Sequence, residues 1–383
     1  MKVPLSWLRE YVDAPAAPEE VARLLVGAGI GVEGIEGEVL DLEITANRAD
    51  LLSILGVARE VGVLLGRPVR MPAPRYVEGD RAVELAWSVS LAAPELCSRY
   101  TARAITGVRV GPSPDWMARR LEAAGIRPIN NVVDVTNYVL LESGQPLHAF
   151  DARRLSGGRL VVRRAATGER IVAIDGREYA LRPEMLVIAD AQRPVAIAGV
   201  MGGRETEIGS DTVDVLLESA QFDPVSVRRT ARRLGLSSES SYRFERGVDY
   251  DGVEWASRRA VQLILELAGG TALRGVLEAG GPRPVRPSAR VRPARVSRVL
   301  GMEVSPARIR EILENLGCSV TEREGAFEVA APSGRRDLRL EVDYIEEVAR
   351  IQGYDAIPCD TRLPQAVPAD PPEERVREEV RAA

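Results

Sequence analysis

Histidine and lysine are nearly absent from this chain. His148 is the single histidine in 383 residues, and Lys2 is the single lysine among 51 basic side chains. Positive charge carried almost wholly by arginine is the usage of a GC-rich genome, so arginine abundance by itself does not point to nucleic acid. The net charge of −5 excludes a general affinity for polyanions and leaves RNA or DNA contact to local patches. Cysteine is scarce as well. Cys97, Cys318 and Cys359 lie far apart, which fits neither a disulfide framework nor a zinc site of paired cysteines. No apolar run approaches the roughly 20 residues of a membrane span, and the opening MKVPLSWLRE is too polar for a secretory signal. These absences predict a cytoplasmic protein without membrane association.

What is present is enough for two or three domains with real cores, because 45% of the residues are hydrophobic and the chain is long. Proline-rich stretches divide it. Residues 1–75 hold a helical and strand unit that ends at RPVRMPAPRY. Residues 76–280 alternate strands with capped helices. Ser113 with Pro114, and Asp223 with Pro224, each place a capping oxygen before a proline at a helix start. Asp175 with Gly176 suits a tight hairpin. The linker GGPRPVRPSARVRPA leads into residues 283–360, whose pattern is helix, helix, strand, strand around Gly325, then the helix LEVDYIEEVARIQGY. That order predicts a small winged-helix-like domain. Residues 361–383 are expected to be a linker and the start of a helix. The whole is α+β and multi-domain.

Five places carry candidate chemistry. His148 lies between Leu147 and Ala149 with no acid or cysteine beside it, a pattern that favours a structural ring over a working one. Thr136 and Asn137 lie one helix earlier and suit a ligand or a helix cap equally well. AIAGVMGG, with Gly199, Gly202 and Gly203, has neither phosphate-loop nor dinucleotide spacing and says only that backbone turns tightly or approaches something closely. Arg228, Arg229, Arg232 and Arg233 share one helix, with Arg243 and Arg246 beyond it; they suit phosphates or a solvated face. Asp337, Asp343, Glu346 and Glu347 sit in an acidic helix region. The last three, spaced i, i+3 and i+4, share one helical face. Read alone, this is a solvated face before it is a Mg²⁺ site.

Taken together and in order, VPLSWLREYV, LDLEITANRADLLSILGVAREV, GIRPINNVVDVTNYVLLESGQPLHAFD, AIAGVMGG, LLESAQFDPVSVRRTARRLGLSSESSYRFERGVD and RRDLRLEVDYIEEVARIQGYDAIP resemble the β subunit of bacterial phenylalanyl-tRNA synthetase. The resemblance covers nearly the whole chain. It implies a tRNA-editing module of B3/B4 type at 76–280 and a B5-type domain at 283–360. It also implies hydrolysis of tyrosine wrongly attached to the phenylalanine tRNA. The positions matching the editing pocket are Thr136, Asn137, His148, Ala198, Gly199 and Glu218. Glu218 is expected to accept the phenolic hydrogen bond that phenylalanine cannot offer, and His148 to place the attacking water. Asp337, Asp343, Glu346 and Glu347 match Mg²⁺ ligands at the contact with an α subunit, with which the family forms an α2β2 enzyme that attaches phenylalanine to its tRNA. ATP belongs to that α subunit, so this chain is not expected to aminoacylate alone.

The departures also carry expectations. GIGVEGIEG runs straight into EVLDLEITANR, where the family inserts a tRNA-binding barrel, and the chain is shorter than the family's β subunits, without the catalytic-like and anticodon-binding domains. The alternatives to an editing enzyme are a structural subunit without catalysis and a nucleic-acid-binding module.

Overall fold

The computed structural model describes residues 1–281, 283–359 and 372–383. The first segment forms a three-stranded sheet, with Val39–Glu43 between Lys2–Pro4 and Gly31–Glu36. Gly37, at φ +60, turns one strand directly into the next. A bare hairpin therefore stands where the resemblance places an inserted barrel. The helices Leu5–Tyr11, Pro18–Gly27 and Ile54–Leu65 cover this sheet. The segment does not close a core of its own, because Trp7, Leu8 and Val57 are buried in one apolar cluster with Tyr138 and Val261. Trp7 stacks on Tyr138 with ring centroids 4.4 Å apart.

Two sheets make up the middle of the chain. The larger runs in the order Glu78–Ala82, Thr271–Arg274, Cys97–Thr106, Asp214–Phe222, Leu147–Asp151, with Leu277–Gly280 also paired to Cys97–Thr106. Alternation along its strands separates two cores. Leu217, Ala149 and Ile105 face the helices Asn131–Ser143 and Gly252–Ala268. Leu216, Phe150 and Tyr100 face the smaller sheet, whose order is Met201–Gly202, Pro194–Ile197, Leu186–Ala189, Arg159–Arg164, Ser88–Leu91.

Local punctuation was obeyed in two of three cases. Asp223 accepts from Ser226 N at 2.7 Å and starts the helix Pro224–Leu234, which Gly235 ends in a left-handed turn. Asp175 and Gly176 turn Arg170–Val172 into Glu178–Ala180. Ser113, expected to cap the helix Asp115–Ala123, does not. Its hydroxyl donates to Asp134 at 2.5 Å and Pro114 occupies the cap position without a side-chain bond.

The C-terminal unit has the expected helices Pro293–Leu300, Pro306–Asn315 and Glu341–Gln352 and the hairpin Ser319–Arg323 with Ala326–Ala330. It also has a strand, Ser288–Val291, inside what the prolines mark as linker. Arg290 is exposed at this sheet edge, prolines flank the strand on both sides, and Val291 enters the core beside Phe327 and Tyr344. Of the expected tail, residues 361–371 lie outside the described residues, and Pro372–Ala382 is helical. Among the described residues no helix is long and apolar enough to cross a membrane.

Candidate functional site

Strand register joins two residues that the sequence keeps 70 positions apart. Leu147–Asp151 pairs antiparallel with Asp214–Phe222 so that His148 stands directly opposite Glu218. Directly opposed side chains project from the same face, here the face toward the smaller sheet. The approach to His148 is anchored by Gln145, whose Nε2 donates to the carbonyls of Ala220 at 2.8 Å and Pro146 at 3.1 Å. Asp151 closes the strand by accepting from Thr212 Oγ1 at 2.8 Å.

The glycines of AIAGVMGG supply the opposite wall. Gly199 turns with φ +71 at the end of Pro194–Ile197, and a Cβ there would meet Phe222, Val227 and Phe244 at 2.9 to 3.1 Å. Gly202 lies flat against the imidazole, so that a Cβ would overlap the His148 ring. Tight turning and close approach are both realised, and the thing approached is His148. Between these walls lies a cavity of about 50 Å³, lined by His148, Glu218, Gly199, Met201, Ser240 and Phe244 among others.

This cavity is polar and unsatisfied. Glu218 is 5% exposed, and its Oε2 and the Nε2 of His148 are buried without hydrogen-bond partners. The His148 ring is half-buried overall, stacked edge-on against Phe150 at 4.4 Å, while Nε2 itself is sealed from solvent. Burial pushes the Glu218 carboxyl up to about 8, opposed in part by Tyr100, and pushes the imidazole down to about 4. At neutral pH both groups are therefore uncharged. Glu218 can then accept through its carbonyl oxygen and donate through its hydroxyl. Burying two such groups is costly unless each finds a partner, and buried polar atoms left without a protein partner are the ones a ligand or water satisfies.

Thr136 and Asn137 are not brought to this cavity. They sit in mid-helix within Asn131–Ser143, where the Thr136 hydroxyl donates back to Val133 O at 2.6 Å. Asn130 takes the capping role, accepting from Val132 N and Val133 N. Ala198 is buried next to Gly199 but does not line the space. Tyr100 is a residue that sequence reasoning missed. It is fully buried on the same sheet face, with its hydroxyl directed at Glu218 but closing no ordinary hydrogen bond. No local pattern marks it; it reaches Glu218 only as a diagonal neighbour across the strand pair Tyr100 to Ala220.

The arginine patch is partly real. Arg228, Arg229, Arg232 and Arg233 are exposed along one helix, and among the described residues Arg233 alone of these pairs with an acid, Glu184 at 3.3 Å. Arg243 instead is buried, donating to Leu52 O at 3.1 Å, and Arg246 stacks on Tyr242 at 3.6 Å.

The acidic helix is arranged for arginine. Asp337 accepts from both Nε and Nη2 of Arg335, and Glu347 is held by Arg335 at 2.8 Å and by Arg350. Arg350 also grips Glu60, and Arg48 joins Glu60 to Asp50. Burial works against a charged Glu347, but bonds from Arg350 and Arg335 outweigh it and hold the carboxyl well below the usual range. Asp343 caps its own helix by accepting from Arg339 N and Leu340 N at 2.8 and 2.7 Å. Glu346 is exposed. Among the described residues no cluster of three or more His, Cys, Asp or Glu is placed to hold a metal. The four carboxylates do not fit Mg²⁺ as they stand, because hard-oxygen ligands must converge and these are each committed or apart. Two of them, Asp337 and Glu347, belong instead to an ionic network that fastens the C-terminal unit to the first 65 residues through Arg350 and Glu60.

The B3/4 domain family matches residues 96–269, and the tRNA synthetase B5 domain family matches residues 289–354. The phenylalanine–tRNA ligase beta subunit of Rhodopirellula baltica is 48% identical over 370 residues, which is 96% of this chain and 54% of that protein. The corresponding subunit of Moorella thermoacetica is 50% identical over 357 residues, 92% of this chain and 44% of its own length. The chain thus spans about half the length of the curated relatives it matches. A crystal structure of an N-terminal fragment of the phenylalanyl-tRNA synthetase beta subunit from Pyrococcus horikoshii shares the fold, with a TM-score of 0.51 at 16% identity, over 92% of this chain and 99% of the fragment. With two domain families in the order the sequence predicts and close to half of all residues shared across almost the whole chain, this protein is a homologue of the phenylalanine–tRNA ligase beta subunits.

Proposed function

We propose that the cavity between the two sheets hydrolyses the ester joining tyrosine to the terminal ribose of the phenylalanine tRNA. The observation that carries this reading is the pair of buried, unpartnered atoms, Glu218 Oε2 and His148 Nε2, on one wall of one cavity. A phenol is both donor and acceptor and satisfies Glu218 in either protonation state. A phenylalanyl ring leaves Glu218 unpaired, at a cost of about 1–3 kcal/mol, or roughly 5- to 150-fold in preference. That is the kind of discrimination a site built around a hydroxyl achieves and an apolar pocket does not.

In the reaction water adds to the ester carbonyl and the carbon–oxygen bond to the ribose breaks. Tyrosine leaves as the free acid, and the proton given up by water ends on the ribose oxygen. Neutral His148 accepts a hydrogen bond from that water at Nε2 and holds it for attack. The cavity of about 50 Å³ is roughly a third of the ~150 Å³ that takes benzene. A tyrosyl ring therefore enters only as the wall at Gly199 to Met201 withdraws, and Met201 is suited to that by its flexible side chain.

Within a larger synthetase this chain supplies hydrolysis, while amino-acid activation with ATP belongs to an α subunit. Mg²⁺ has no step here. The test is deacylation of tyrosyl-tRNA by the chain. His148→Ala should slow hydrolysis at saturating substrate while leaving the tyrosine preference, and an unchanged rate would remove His148 from the reaction.

A further inference from the structure

A cleft of about 560 Å³ lies apart from the cavity above. It lies where the ends of Cys97–Thr106 and Asp214–Phe222 meet the loop 331–339 of the C-terminal unit, floored by residues 283–287. From its charge and its walls, we infer that this cleft binds the phosphodiester backbone of a single RNA strand. The inference rests on the proposed function only in that the ester carrier there is an RNA.

Its charges do not cancel. Glu95 is met by Arg164, and Arg335 is spent on Asp337 and Glu347. Arg283 and Arg286 converge on one oxygen of Asp251. Asp223, the remaining acid, caps a helix by accepting from Ser226 N. Arg336 and Arg339 have no acidic partner among the described residues. The Arg339 Nε reaches only the Arg336 carbonyl, at 3.0 Å. The cleft is therefore a positive pocket in a chain of net charge −5.

Arg336 is also held in place. Its guanidinium lies over Gly247, where any Cβ would collide with it. Partial burial, and then the neighbouring Arg339, disfavour its charge, and Asp223 compensates only in part. A guanidinium stays protonated at neutral pH, so the pair is completed by an anion from outside. Planar forks of donors suit phosphate oxygens.

The walls favour RNA over an acidic peptide. Tyr250 carries Arg99 over its ring at 5.0 Å, and Pro284, Pro287 and Pro332 present flat apolar faces. Such surfaces stack bases, and stacking with a basic track is how single strands are held. The volume lies within the ~300–1,000 Å³ of small-ligand sites, enough for a nucleotide or two and too little for a duplex. Phe222 lines the cleft, and its ring packs at 5.0 Å on Phe244, which lines the His148 cavity. The two spaces are thus separated by one aromatic pair, and a strand in the cleft lies next to the hydrolytic pocket.

The probe is a fluorescent 12-nucleotide single-stranded RNA, titrated with the chain by anisotropy from low to moderate NaCl. Arg336→Gln with Arg339→Gln should weaken binding at least tenfold at low salt. It should also reduce the slope of log K against log [salt] by about 0.7 for each phosphate that is no longer neutralised. Arg339→Gln alone, at an exposed position, should give part of the effect with an unchanged thermal midpoint, which separates weaker binding from impaired folding. Glu218→Gln should bind as wild type does, so a failure of the hydrolytic reading leaves this result standing. Unchanged affinity and slope in the double variant, or equal competition by a poly-glutamate peptide, would overturn the assignment.

Discussion

His148 and Glu218 face each other as directly opposed residues on neighbouring antiparallel strands, each with a polar atom sealed from water and left without a hydrogen-bond partner. Two unsatisfied groups placed together in a core are costly in isolation and meaningful as a pair. Their arrangement sets the expectations that follow.

Gly202→Ala should displace the imidazole, because the added methyl takes the space of the ring. Overpacking of this kind costs ~1–3 kcal/mol. Tyrosyl-tRNA hydrolysis should fall to the level of His148→Ala while the protein stays folded, as read by deacylation and a thermal melt. A fully active Gly202→Ala protein would mean that the ring is not held where the structure places it.

Glu218 should make stability depend on pH with a definite sign. Its carboxyl is raised from 4.5 to about 8, so between those values the folded state binds more protons than the unfolded state. Stability then falls as pH rises, by at most about 1.4 kcal/mol per unit. His148, lowered from 6.5 to about 4, acts oppositely over its own window and is common to both proteins. The neighbouring Tyr100 and Cys97 are pushed up by burial and by Glu218, and stay neutral throughout. Glu218→Gln should therefore gain stability over wild type progressively from pH 4.5 to 8 in denaturant titrations. A constant difference across that range would contradict the raised pKa.

Arg350→Ala should destabilise by less than the ~3–5 kcal/mol of a buried pair broken outright, since Glu60 keeps Arg48 and Glu347 keeps Arg335 while each loses its second arginine. Because that network joins the C-terminal unit to the first helices, urea unfolding should change from one transition to two. A single transition with wild-type midpoint would show that the network contributes nothing to the coupling.

Mg²⁺ should bind this chain weakly. Asp337 and Glu347 are already paired with arginines and Asp343 with backbone N–H groups. Calorimetry of the chain with MgCl₂ should show no tight site, and removal of divalent ions should leave the thermal midpoint unmoved. Tight stoichiometric binding would show that these carboxylates rearrange.

Features of the sequence that act within a few residues were legible. Asp223 with Pro224, Asp175 with Gly176, and the hairpin around Gly325 all do what their chemistry predicts. Ser113 failed as a cap because Asp134, 21 residues on, competes for its hydroxyl. The strand Ser288–Val291 was hidden by flanking prolines, which an edge strand tolerates. His148 and Glu218 were joined only through family resemblance, since their meeting depends on strand register. Tyr100 was invisible for the same reason. The acidic helix was misleading in the other direction. Carboxylates grouped in and just before one helix look available in sequence, but Arg335, two residues before Asp337, and Arg350, three residues after Glu347, had already claimed them.

The most direct measurement compares deacylation of tyrosyl- and phenylalanyl-tRNA, each charged on the phenylalanine tRNA, by wild type and Glu218→Ala. Wild type should prefer the tyrosyl ester, and the variant should lose that preference, roughly 5- to 150-fold, corresponding to one buried hydrogen bond. A Glu218→Ala protein that still hydrolyses with the wild-type preference would contradict the claim that this carboxyl recognises the tyrosine hydroxyl.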